Sequence, residues 1–175
     1  MYIKEVEGRP DTTTTRGKTV RGIDKQISAS LTFSSSFMST NARIGLQLNG
    51  GIVSVYHHWD GYPQWLGVQL TTKYTNKEDI AELIDGGNMS CIASDTDWNH
   101  KKCKEHVQYY TGRGESIDEN APKLAESMTE YFEQCDNCGA EYAYVFDNGE
   151  WFCYDTKTWS DSFGQLVDIP QEVSA

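Results

Sequence analysis

Twelve residues, YHHWDGYPQWLG (56–67), bring together two imidazoles, two indoles, a carboxylate and two phenols. Imidazole and carboxylate supply acid and base, while indole and phenol supply flat surfaces for stacking. A strand end that feeds a helix start also offers backbone N–H groups and a positive dipole, which suits an anion. His58, Trp59, Asp60 and Tyr62 are therefore the candidate ligand-binding residues of this stretch. Each also has an ordinary structural use: Trp59 and Tyr62 in a core, Asp60 as a helix cap, the imidazoles in plain hydrogen bonds. No third catalytic partner is evident in the sequence, so no residue is assigned a catalytic role.

A second polar loop, YYTGRGES (109–116), sets Arg113 between two glycines, with Glu115 beside it. A guanidinium in that position can meet a phosphate or carboxylate with two parallel N–H bonds. The loop lacks the GxxxxGK[ST] spacing of a phosphate-binding P-loop. Cys135-x-x-Cys138 is a zinc cue, because thiolates at this spacing chelate well, but a structural site needs four ligands. Cys103-x-x-His106 can supply the other two, which makes zinc a possible cofactor held by Cys103, His106, Cys135 and Cys138. The same spacing also fits two reduced cysteines at a helix end. Cys153 falls outside the set, since its cross-strand partner lies beyond Cys138 by ~20 Å of extended chain.

Alternation and turn chemistry indicate the elements that position these groups. Ile44, Leu46 and Leu48 alternate, NGG turns, and IVSVYHH returns as the second strand of a hairpin. That strand sends Ser54, Tyr56 and His58 to one face and Val53, Val55 and His57 to the other. Asp60 can cap a helix with Pro63 in its first turn. TNKE predicts a capping box from Thr75 to Glu78, and DGG ends that helix. A later helix is expected from about Pro122, with Leu124, Met128, Tyr131 and Phe132 on one face. Asn148-Gly149 predicts a tight hairpin with Phe146 opposite Trp151 and Tyr144 opposite Cys153. Both faces of that hairpin are apolar, so each needs a cover. WSDSFGQLVDI reads as a short helix capped by Ser160 or Asp161.

The chain has 175 residues, 38% of them hydrophobic and 12% aromatic, enough for one globular domain. Its net charge of −11 splits into +2 over residues 1–40 and −13 over the rest. An acidic body repels phosphates, which disfavours direct nucleic acid binding. It leaves two readings open, a solvated surface or a face for a basic partner. The five cysteines are an odd number, and Lys4, Glu5, Glu7 and Arg9 stand where an export signal needs an apolar run. The expected location is the cytoplasm, with no membrane association. Residues 1–40, with the low-complexity DTTTTRGKT, the strand-like QISASLTF and the linker-like SSSFMST, read as an N-terminal extension. Residues 41–175 read as a single α+β domain, an antiparallel sheet of hairpins with two or three helices packed on one face.

From Met38 onward the chain resembles a family of small proteins, without an assigned activity, found in tailed-bacteriophage genomes and prophages. The pieces that carry the resemblance are MSTNARIGLQLNGGIVSVYHHWDGYP, IAELIDGGNMSC, YYTGRGE and EYAYVFDNGEWFCY, of which HWDGYP is the specific element. Position 57 is His where the family often has Cys, and Thr111-Gly112 replaces an Arg-Asp pair. The resemblance implies a phage origin, an α+β fold, and a site shared by HWDGY and RGE. The expected function is that of an accessory protein in the infected cell, acting by binding and engaging or inhibiting a host factor. Two alternatives stand beside it. One is a binder or enzyme for a nucleotide or small anionic metabolite. The other is a minor virion component docked through residues 1–40.

Overall fold

Two hairpins form the frame of the computed structural model, which describes residues 39–92 and 106–171. Strand β1 (Ala42–Leu48) turns at Asn49-Gly50 into β2 (Gly51–His57), pairing Ile44 with Val55 and Leu46 with Val53. Strand β6 (Tyr142–Asp147) turns at Asn148-Gly149 into β7 (Glu150–Asp155). Asn148 and Gly149 have φ of 49° and 87°, the geometry whose twist matches that of the flanking strands. The register sets Phe146 opposite Trp151 and Tyr144 opposite Cys153, as turn chemistry and alternation predict. In the first hairpin the positive φ falls on Gly51, at 135°, where a Cβ would collide with the Ala125 carbonyl.

The hairpins join through a parallel pairing of β1 with β6, from Ala42–Tyr142 to Leu46–Phe146. The remaining strands are β3 (Met89–Ile92), β4 (Val107–Tyr109), β5 (Lys123–Ala125) and β8 (Leu166–Val167). Together they give one mixed, mostly antiparallel sheet in the order β4-β3-β2-β1-β6-β7-β8, with β5 also on β2. The outer edge of β2 is divided. Strand β5 pairs antiparallel along Ile52 to Ser54, and β3 meets it in parallel at His57–Met89. Between them the Tyr56 N–H donates to Asn88 Oδ1 at 2.8 Å, so a side chain satisfies the backbone where neither strand reaches.

Helices cover both faces of the sheet, a departure from the one-sided packing expected. Helix α1 (Val68–Lys73), entered by a wide π-type turn at Pro63–Gly67, and α2 (Lys77–Asp85) supply Leu66, Leu70, Ile80, Leu83 and Ile84. These pack on Ile44, Leu46, Val55, Tyr144 and Phe146. Helix α3 (Met128–Asn137) lays Tyr131 and Cys135 on the opposite face, against Ile52, Ala143 and Val145. The two apolar faces of the β6–β7 hairpin require this second cover. Gly45 makes room for it: a Cβ there would lie 3.0 Å from the Tyr131 hydroxyl, which donates to the Tyr144 carbonyl.

Two predicted helix boundaries and one predicted helix are corrected. Asn76, not Thr75, caps α2, its side chain accepting from the Asp79 N–H at 2.9 Å. Helix α3 starts after Ser127 rather than at Pro122, because Lys123–Ala125 is used as β5. Ser127 Oγ accepts from the Glu130 N–H while Glu130 Oε2 accepts from the Glu126 N–H, a reciprocal cap. The WSDSFGQLVDI segment forms turns and β8 rather than a helix. The Ser160 and Ser162 hydroxyls each donate to Asp155 Oδ2 at 3.0 Å, which ties the turn down instead of capping a helix. The predicted strand QISASLTF lies outside the described residues. No described helix is long and apolar enough to cross a membrane.

Candidate functional site

The DGYP turn follows from backbone requirements. Asp60 adopts φ 54°, a left-handed conformation that Asp tolerates better than most residues. Gly61 packs on the start of β1, where an added Cβ would come within 2.8 Å of Ala42 Cβ. Its N–H donates to the Thr40 carbonyl at 2.8 Å, and its carbonyl accepts from Tyr144 Oη at 2.8 Å. Pro63 opens the π-type turn, where a missing N–H leaves no bond unmade. Asp60 does not cap this turn. Tyr62 precedes it with no side-chain cap, its carbonyl accepting from the Trp65 and Leu66 N–H groups. Asp60 is exposed and acts instead on Cys91, whose thiol is pushed up by burial and then by that carboxylate.

Strand alternation separates the histidines. His57 is fully buried, and the Ile92 N–H donates to its Nε2 at 3.3 Å. That bond puts the proton on Nδ1, which has no partner among the described residues. Burial, and then the charge of His58, lowers its pKa to about 3. His57 is thus a neutral core residue.

His58 faces the other way. Its Nδ1 lies 2.8 Å from Tyr56 Oη, and its ring meets Trp59 edge to face at 4.7 Å. Trp59 is 49% exposed. The His58 and Trp59 N–H groups bond to the Met89 and Ser90 carbonyls, which continue the β3 pairing past the end of β2. The pair is therefore held on sheet backbone. Burial pushes the Tyr56 phenol well above its ordinary value, with Tyr110 and then Cys138 adding to it. The two side chains share one hydrogen bond, in which either can donate according to the imidazole tautomer.

Tyr110 and Cys138, whose charges act on the Tyr56 phenol, lead to two further groups. On one side, Arg113 lies over the Tyr110 ring at 4.4 Å and bonds Glu115 Oε1 at 2.7 Å. The Tyr110 N–H donates to the Asn88 carbonyl, so Asn88 anchors both Tyr56 and the RGE loop. On the other side stands Arg43, only 2% exposed. Its Nε and Nη2 donate to Ser54 Oγ at 3.0 and 2.8 Å, and its Nη1 lies 4.0 Å from Cys138 Sγ. Cys138 closes the C-terminal end of α3, whose partial negative charge offsets a buried cation.

The segments that carry His58–Trp59 and Arg113–Glu115 are thus anchored on one residue, Asn88, which bonds the Tyr56 and Tyr110 backbones. Tyr62 lies at the entry to the π-type turn and Asp60 beside Cys91. Sequence reasoning missed Tyr56, Tyr110 and Arg43 as members. The period of two that groups Tyr56 with His58 is the signal that identifies the first.

Cys135 is buried and its thiol is pushed up to about 12, by burial first and against the opposing charge of Arg43. Cys138 Sγ donates to the Cys135 carbonyl at 3.4 Å. Among the described residues no three His, Cys, Asp or Glu side chains are arranged to hold a metal ion, and Cys103 lies outside them. Cys153 lies on the opposite face of the sheet from Cys135.

No protein-family model, curated protein or solved structure matches this chain. The functional reading therefore rests on the geometry of the surface.

Proposed function

We propose that the protein is a phage accessory protein that binds a host protein in the infected cell, through the surface running from Trp59 to Glu115. One observation carries this reading. Trp59, His58 and Tyr56 form one run of touching side chains and Tyr110, Arg113 and Glu115 another, and Asn88 bonds the backbone of both. Trp, Tyr and Arg dominate the binding energy of protein interfaces. The polar groups are already engaged with one another, His58 with Tyr56 and Arg113 with Glu115, which suits recognition better than turnover. The charge of −11 favours a protein over a nucleic acid as the partner.

A second reading, an anionic metabolite held by His58 and Arg113, is favoured by the anchoring of both segments on Asn88. It requires Arg113 to exchange Glu115 for the ligand. The virion reading rests on residues 1–40.

Native mass spectrometry of the protein purified from its bacterial host separates these readings. The expected result is a stoichiometric complex with a host protein that the Trp59→Ala/Arg113→Ala variant loses while remaining folded. A complex that survives both substitutions would overturn the assignment of the surface. A bound small anion in place of a protein would establish the second reading.

A further inference from the structure

A separate cleft lies beside α3. Thr129, Phe132, Glu133 and Asp136 recur at helical spacing along one stripe of α3 and line a cavity of about 350 Å³. Thr158 and Phe163, from the loop that follows β7, form its other wall.

That loop is held in place. The Asp155 carboxylate accepts from Ser160, Ser162 and the Lys157 N–H, and the Gly164 N–H returns to the Asp155 carbonyl. Phe163 consequently stays 42% exposed, edge to face with Phe132 at 5.9 Å. Phe132 in turn packs on Tyr154 at 5.6 Å.

The charge of the cleft is one-sided. Glu133 and Asp136 are exposed at its rim, and among the described residues its lining includes no cation. Lys157, the basic residue of the loop, is already engaged: its Nζ bonds Asp155 at 3.0 Å and sits over the Tyr142 ring at 4.2 Å. Aromatic walls below two carboxylates match a flat cation on an aliphatic stem. A guanidinium stacks on ring faces while its N–H fork meets carboxylates, which a hydrated ammonium does less well.

We propose that this cleft receives an arginine side chain presented by a partner protein. The occupant is set by charge complementarity. The cleft shares no residue with the Trp59–Glu115 surface, and the inference does not depend on that reading.

The test titrates the full-length protein with a fluorescent peptide of alternating glycine and arginine, in about 0.15 M salt. A citrulline peptide, which replaces each guanidinium by a neutral urea of nearly the same shape, serves as the comparison. The arginine peptide should bind and the citrulline peptide should not. Glu133→Gln/Asp136→Asn should weaken binding about ten-fold, and Phe163→Ala about five-fold. Glu78→Gln/Glu82→Gln removes the same charge from the exposed face of α2 and should change binding less than about two-fold. Trp59→Ala should also leave it unchanged, which keeps this result independent of the other surface.

Equal losses in the α2 control pair would mean diffuse attraction to an acidic body and would overturn the proposal. So would a dimer, seen by sedimentation, that dissociates with the cleft substitutions. Circular dichroism of each variant checks folding. The carboxamide pair lies on an exposed helix face, so the test stands even if Phe163→Ala unfolds.

Discussion

Tyr56 Oη and His58 Nδ1 lie 2.8 Å apart, and this bond links a strand residue to the motif that follows the strand. Tyr56→Phe should release the imidazole from this bond. The ring nitrogen shifts of His58 should move once this bond is lost. Stability should fall by no more than about 1 kcal/mol, read from the denaturant midpoint, because the phenol is only part-buried. Unchanged ring shifts would mean that Tyr56 does not hold His58.

His57 makes acid stability depend on one buried ring. An unfolded imidazole takes up its proton near pH 6.5, whereas His57 in the fold does so only at about 3. Between those values the unfolded state binds a proton that the native state refuses, so stability falls as pH drops through the window. By pH 4.5 this amounts to about 3 kcal/mol, and above pH 6.5 it vanishes. His57→Gln removes it. The stability difference between wild type and variant should shift toward the variant from pH 7 to 4.5, and a constant difference would exclude the account.

Gly61→Ala should destabilise the fold by about 1–3 kcal/mol, because its Cβ would press on Ala42 and on the Thr40 carbonyl. A thermal melt reads this. A neutral substitution would show that the β1 start can withdraw from the turn.

The cysteines should separate by reactivity. Cys135 and Cys153 are buried with thiols pushed up to about 12, while Cys138 is part-exposed. Iodoacetamide at pH 8 should label Cys138 at least ~100-fold faster than either, followed by peptide mass. Zinc added in the same assay tests the four-ligand set. Protection of Cys138 that disappears in Cys103→Ser would support it, and labelling unaffected by zinc would dismiss it.

Much of the motif's chemistry turned out to be backbone chemistry. Gly61 and Pro63 are explained by a close approach and a turn start, as turn propensities suggest. Asp60 was read as a cap because it precedes a helix, but its left-handed φ gives it another role. Thr75 and Asn76 compete for one cap, and only the backbone angles at Asn76 settle which of them turns into the helix. Ser127 and Glu130 form a reciprocal cap with the Glu126 N–H, and its position follows from the strand before it.

The sequence by itself determined the two hairpins, the register of β6 on β7 and the division of each strand into two faces. These depend on alternation and on two-residue turns, which act over a few bonds. It also marked the β6–β7 hairpin as needing cover on both sides. Only the tertiary structure decided that β1 pairs in parallel with β6, that α3 supplies the second cover, and that Asn88 bridges the divided edge of β2. The bonds of Asn88 to both Tyr56 and Tyr110, which anchor HWD and RGE at one edge, were decided there too. Such pairings join segments far apart in the chain. They are selected by which whole faces can be buried together and which backbone groups remain to be satisfied, quantities that no local window of sequence contains.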